Sequence, residues 1–268
     1  MNRAEAFSFF DAVASEASKE LKRFAKDLQI TQKADKTLVT ACDIHLSKHI
    51  ATLAQEWNIP LLSEEDEEGY TLITKPLFAV LDPIDGTLAY IEHAKHPERK
   101  LGPEFDYTLL LTIVEKSKPR FGLCYNFVTG ERMKLDSRSK IHSIIENVKR
   151  LYKSKIAFYY ENRTDDSLSR RLLADTKIKG RYQAMSLGQR LLLMQLNPHE
   201  SAAVSHFAQR SGLWDVGPAL VAASWSGAKL FDGKGNPLTA NKVFIDGGIV
   251  AYKGSYFEGI EKKLLGKL

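Results

Sequence analysis

Cysteine is scarce: the 268 residues hold only Cys42 and Cys124. Two thiols cannot build a disulfide framework, which excludes the small secreted scaffolds and fits a reducing compartment. Long apolar runs are also missing. No segment approaches the roughly 20 residues a membrane-spanning helix needs, and the opening MNRAEAFSFFDAVASE mixes charges among its apolar residues, unlike a secretory leader. There is no basic run interleaved with aromatics and no zinc-ligand spacing, so nucleic-acid recognition has no support. Internal repeats and low-complexity linkers are absent too. These absences make a cytoplasmic protein the default expectation, with no support for a nucleic-acid or membrane partner.

What is present suffices for a substantial core, with 44% of residues hydrophobic and 10% aromatic. Lys and Arg number 38 against 33 Asp and Glu, a net charge of +5. The basic residues are scattered among acids, as on a solvated surface, rather than gathered into an anion-binding stripe. Apolar positions Phe10, Ala14, Ala17, Leu21, Phe24 and Leu28 recur at spacings of three and four, which predicts a first amphipathic helix. Leu46, Ile50, Leu53 and Trp57 predict a second that stops before Pro60.

Strands are expected at 77–81, 107–115 and 120–128, the last two joined as a hairpin by KSKP, and again at 155–160. Helices are expected in DSLSRRLLADT and SLGQRLLLMQL. WDVGPALVAASWSGAKLF reads as a helix leading into a strand, and GGIVAY and an amphipathic YFEGIEKKLL close the chain. Loose alternation of strands and helices argues for a layered α/β arrangement. We read one domain over 1–268, with an N-terminal α+β part (1–134) and a C-terminal α/β part (135–268). The charged stretch 92–106, EHAKHPERKLGPEFD, is an expected exposed insertion or flap.

The chemistry gathers at FAVLDPIDGTLAYI (78–91), where two aspartates stand three apart between an apolar run and a Gly-Thr pair. Taken alone, this is a strand ending in an Asp-Gly turn. Upstream, LLSEEDEEG (61–69) is either a solvated acidic loop or, because Pro60, Leu61 and Leu62 lead into it as a strand would, a fixed presentation of Glu64 and Glu65. Downstream, GLWDVGPA (212–219) sets Asp215 at a helix start, where a carboxylate often only caps. Mg²⁺ takes oxygen ligands and keeps several waters, so three such acidic elements suit it. A Gly-Thr pair opening a helix aims backbone N–H groups at an anion. Carboxylates for metal beside amides for phosphate describe phosphoryl transfer.

With LDPIDGT (81–87), SEED (63–66), the distant WD (214–215) and KADKTLVTACD (33–43) in this order, the chain resembles the inositol monophosphatase superfamily of Mg²⁺-dependent, lithium-sensitive phosphomonoesterases. The resemblance runs from about residue 33 to 240. It implies a layered α-β-α-β-α sandwich, two or three Mg²⁺ ions, and members that often form homodimers. It further implies metal binding by Glu64, Asp82, the carbonyl of Ile84, Asp85 and Asp215. Glu64 and Thr87 would orient the attacking water, Asp35 or Asp43 would assist unless either only caps the second helix, and the amides of Gly86 and Thr87 would bind phosphate.

Within the superfamily, the substrate reading leans to the 3′(2′),5′-bisphosphate nucleotidases. SEED is similar to that branch's Glu-Glu-Asp, FDYTLLLTIVE resembles its strand, and Pro218 resembles its Ala-Pro variant one position early. Leu88-Ala89 replaces its usual Lys-Glu. The alternative is an inositol or other sugar-polyol monophosphatase, but Ala208 stands where that branch carries a polyol-contacting Glu. Arg190 falls where related nucleotidases carry a basic residue near substrate, or is the polar face of its helix. Lys95, His96, Arg99 and Lys100 reach a second phosphate only if the insertion folds over the site. His93 and His199 read as surface residues. A catalytically inactive phosphate-binding protein is a remote alternative, since Glu64, Asp82, Asp85, Thr87 and Asp215 are all in place.

Overall fold

Helix α1 (Arg3–Phe24) follows the expected stripe, burying Phe9, Phe10, Val13, Ala14 and Ala17. The described part of α1 ends at Phe24, and Leu28, packed on the same core, precedes β1 (Ile30–Gln32). The computed structural model describes residues 1–24, 28–33, 38–97, 106–138, 155–160, 167–183, 186–205 and 211–264. Asp35, Ala208, Arg99 and Lys100 therefore lie outside the described residues. Strand β2 (Leu38–Thr40) pairs antiparallel with β1 and leads into α2 (Ala41–Glu56) through a Thr40–Asp43 capping box.

Strands β3 (Leu61–Ser63) and β4 (Leu77–Asp85) run parallel, and α3 (Thr87–Lys95) follows the aspartate turn directly. The first residues of the expected insertion thus belong to a helix. Asp106, at its far end, is buried and accepts from Asn126 and Gln189 side chains. Strands β5 (Thr108–Glu115) and β6 (Lys118–Asn126) form the expected hairpin, turned by Lys116 and Ser117 at φ 51° and 60°. Strand β7 (Arg132–Asp136) completes a five-stranded sheet in the order β3-β4-β5-β6-β7. The expected division at 134/135 falls inside β7, so this sheet extends through Asp136.

The second half adds β8 (Ile156–Tyr160), α4 (Ser167–Ala174), β9 (Gly180–Gln183) and α5 (Leu187–Leu196). Next come β10 (Glu200–Val204), the short β11 (Ser211–Gly212), and α6 (Leu213–Ser226). Strands β12 (Lys229–Asp232), β13 (Phe244–Ile245) and β14 (Ile249–Lys253) precede α7 (Ile260–Leu264). A second sheet has the order β12-β14-β10-β8-β9. The expected closing helix is divided, because Gly259 at φ 75° separates a 3₁₀ turn (Ser255–Phe257) from α7.

Side-chain alternation assigns the layers. On β4, Ala79 and Leu81 join the core beneath α1 and α2, while Phe78 and Val80 join the core that α6 and β8 share. Helices α5 and α6 lie between the two sheets, and Leu168 and Ile260 from α4 and α7 cover the far face with Phe158 and Val250. The result is an α-β-α-β-α stack. Among the described residues no helix is long and apolar enough to cross a membrane.

Candidate metal centre

In a regular strand, residues three apart point to opposite faces. Asp82 and Asp85 nevertheless share one face, because β4 bulges between them: Asp82 pairs with Leu110 and Asp85 with Thr108, three steps on one strand against two on the other. The extra residue inverts the alternation. Pro83 brings no N–H to the ladder, and the Ile84 N–H donates to Asp82 Oδ1 (3.0 Å), so the bulge is closed by the carboxylate itself. Ile84 points away into the α1/α2 core.

Asp85 is held at the N-terminus of α5. The Ser186 hydroxyl (2.5 Å) and Gly188 N–H (2.7 Å) donate to its Oδ2, and the Leu187 N–H (3.0 Å) donates to Oδ1. Ser186 also caps α5 by accepting from the Gln189 N–H (3.1 Å). Sequence reasoning missed these donors, although Ser-Leu-Gly-Gln carries the capping-box spacing that marks a helix start. Arg190, expected near substrate or on a solvated face, is instead only 1% exposed, and its charge favours ionised Asp85.

Asp215 does cap its helix, accepting from the Gly212 N–H (2.6 Å). Helix α6 lies close enough to the first sheet to bring that cap to the aspartate turn. A Cβ on Gly217 would stand 2.3 Å from Thr112 Oγ1, and one on Gly122 3.1 Å from the Pro218 Cα. Glycines on both sides thus set the spacing. Carboxylate oxygens of Asp82, Asp85 and Asp215 consequently lie within 4.8 Å of one another.

Glu64 follows β3, and its N–H donates to the Leu81 carbonyl (3.0 Å), beside Asp82. Its Oε1 accepts from Lys33 Nζ (2.9 Å), which also donates to Glu65 Oε1 (2.7 Å). Asp43 Oδ2 accepts from both the backbone N–H (2.7 Å) and hydroxyl (2.5 Å) of Thr40, so the capping role is real. Gly86, at φ 93°, opens α3, and a Cβ there would meet the Asp106 carbonyl and Ser186 N at 3.4 Å. Thr87 Oγ1 donates to the Ile84 carbonyl (3.1 Å).

This concentration of buried acid is electrostatically costly. Burial, reinforced by Glu64 and by the other aspartates, holds Asp82 and Asp215 well above the ordinary carboxylate range. Burial also pushes Asp43 and Asp85 up to about 6 and Glu65 up to about 7, opposed by hydrogen bonds from Thr40, Ser186 and Lys33 respectively. An all-oxygen set of mutually repelling carboxylates fits a hard divalent cation.

The sign follows from the raised values: at these groups the folded protein binds protons more tightly than the unfolded chain. Their contribution to stability is full below about pH 4 and is lost as pH rises through about 6 to 7. Without metal, the melting temperature is expected to be lower at about pH 8 than at about pH 5.5, and millimolar Mg²⁺ to raise it more at the higher pH. An equal Mg²⁺ effect at both pH values would place the cation elsewhere.

The model of the inositol monophosphatase family matches residues 2–264. The 3′(2′),5′-bisphosphate nucleotidase CysQ of Escherichia coli O157:H7 is 24% identical over 253 residues, covering 88% of this chain and 93% of its own. Staphylococcal inositol monophosphatase-1 superposes with a TM-score of 0.74 at 14% identity, covering 100% of this chain and 96% of its own. An IMPase/NADP phosphatase solved with Mg²⁺ and phosphate gives 0.70 at 14% identity, over 95% and 91%. At such identities the structural likeness speaks for the fold.

Proposed function

Because this chain belongs to the inositol monophosphatase family, we propose that it hydrolyses the 3′-phosphate of adenosine 3′,5′-bisphosphate, with Mg²⁺ as the group that would activate the water. The enzyme class is that of phosphoric monoester hydrolases. The observation that carries the proposal is the convergence of Asp82, Asp85 and Asp215 within 4.8 Å, immediately before the Gly86–Thr87 start of α3. Substrate choice rests on the bisphosphate nucleotidase relative, whose match spans nearly its whole length. Cys42 and Cys124, both buried thiols, suit a reducing cytoplasm.

In this reading Asp82, Asp85, Asp215, Glu64 and the Ile84 carbonyl would hold two or three Mg²⁺ ions. Bound there, Mg²⁺ supplies charge neutralisation at phosphorus and acidifies a water. The protein positions everything else. The bulge fixes Asp82 and Asp85 on one face, and three donors at the start of α5 aim Asp85 and offset part of the cost of ionising it. Gly86, at φ 93°, opens α3, whose first N–H groups would bind a phosphate, favoured by the helix dipole. Glu64 and Thr87 would orient the attacking water. Asp43, already engaged with Thr40, would take part through the hydroxyl and water network, as would Asp35. Arg190 enters as the buried counter-charge of Asp85.

The test is phosphate release with Mg²⁺ from adenosine 3′,5′-bisphosphate and from inositol 1-phosphate, compared as kcat/KM. A preference for the nucleotide of at least roughly tenfold is expected, with activity falling in millimolar Li⁺. Preference for inositol 1-phosphate would move the assignment to the polyol branch. Activity on neither would remove both substrates while leaving the phosphatase class to be probed with other esters.

A further inference from the structure

Lys33 holds an oxygen of Glu64, one of the proposed metal ligands. Its ammonium donates to Glu64 Oε1 and Glu65 Oε1 at 2.9 and 2.7 Å, and the three side chains are 24%, 26% and 8% exposed. Glu64 is the carboxylate that faces Asp82, Asp215 and Asp43 electrostatically, raising all three. The Lys33 charge reaches into the same group and opposes the rise at Asp43 and Asp215. One ammonium thus neutralises part of the cluster that a dication would neutralise, and occupies an oxygen of a proposed ligand.

Glu65 has a different position. Its side chain is nearly buried, and the structure gives it the shorter of the two Lys33 contacts. It stands next to Glu64 in the chain, so a small shift of the ammonium toward Glu65 releases Glu64 without returning Lys33 to water. The pair of acids therefore offers the lysine two alternative seats, only one of which conflicts with metal binding.

Resting on the metal reading above, we propose that Lys33 is a built-in cation that competes with Mg²⁺ for Glu64, and that Glu65 is the positioning residue that draws it aside. Its consequence is a metal affinity set below what the carboxylates alone would reach. Electrostatics decides the sign. A lysine that merely braced Glu64 for coordination would weaken metal binding when removed, whereas removal of a competing cation tightens it.

The experiment is a calorimetric titration of Mg²⁺ into the full chain, without substrate. Lys33→Met is expected to bind Mg²⁺ roughly tenfold more tightly than the parent, because one opposing charge a contact distance from the ligand is lost at a partly exposed site. Its melting temperature without metal should fall, as the carboxylates lose their counter-charge. Glu65→Gln is expected to bind Mg²⁺ roughly threefold to tenfold more weakly, with Lys33 confined to Glu64. In the double variant the Glu65→Gln effect should shrink to what its own charge contributes, since the rest acts through the lysine.

Unchanged or weaker binding by Lys33→Met would overturn the proposal. So would a Glu65→Gln effect that persists undiminished without Lys33. Should Lys33→Met fail to fold, Glu65→Gln alone decides, because unchanged or tighter binding there is incompatible with a lysine drawn aside by Glu65. A parent protein that takes up no Mg²⁺ at all would instead defeat the metal reading itself, an outcome distinct from these.

Discussion

Asp82→Asn is expected to lower kcat/KM by roughly a thousandfold or more, while the metal-free protein melts at a higher temperature than its parent. Two opposite effects arise from one charge. The side chain is 2% exposed, and burial and the neighbouring Glu64, Asp85 and Asp215 all disfavour its ionised form. A neutral amide removes that repulsion, and its oxygen can still accept from the Ile84 N–H, so the bulge is retained. The same substitution removes one of the carboxylates that would hold Mg²⁺, and with it the Mg²⁺-induced rise in melting temperature. Near-parental turnover would exclude Asp82 from the chemistry. Loss of both activity and fold would show that the charge is structural. Asp85→Asn should also abolish most turnover, but with less gain in stability, because its ionised form is supported by three donors at α5.

The second large effect is steric. Gly217→Leu is expected to destabilise the protein by on the order of 3 kcal/mol and to eliminate its stabilisation by Mg²⁺. A Cβ at this position would stand 2.3 Å from Thr112 Oγ1 and 2.8 Å from Thr112 Cβ. Since Thr112 is 1% exposed inside the sheet, it has nowhere to retreat. Helix α6 must then lift from β5, carrying Asp215 away from Asp82 and Asp85. Urea denaturation measures the first effect and thermal shifts with Mg²⁺ the second. Pairing the change with Thr112→Gly should recover part of both, because it clears the colliding atoms. Destabilisation with the Mg²⁺ response intact would mean that Asp215 reaches the cluster independently of the helix–sheet spacing.

Local patterns were legible where one physical period dominates. The three-and-four stripes of α1 and α2, the KSKP hairpin and the strand before SEED all appear as read, because each depends on neighbours within a few residues. The split of the closing helix was not, because it follows from the positive φ of Gly259. Arg190 is equally instructive: as a charged residue in an apolar stretch it looked like a contact to substrate or solvent, yet the helix carries it into the interior beside Asp85.

By itself the sequence determined the chemistry available here: an Asp-Pro-Ile-Asp-Gly-Thr turn, an upstream Glu-Glu pair and a Trp-Asp helix start, oxygen donors in an order that identifies the family. The tertiary structure decided which of those oxygens meet. A bulge set by pairing with β5 turned two aspartates to one face, paired glycines let α6 deliver Asp215, and the N-terminus of α5 fixed Asp85. None of these was legible beforehand, because strand register and helix–sheet spacing depend on residues 23 to 105 positions apart in the chain, whose side chains select each other only when packed.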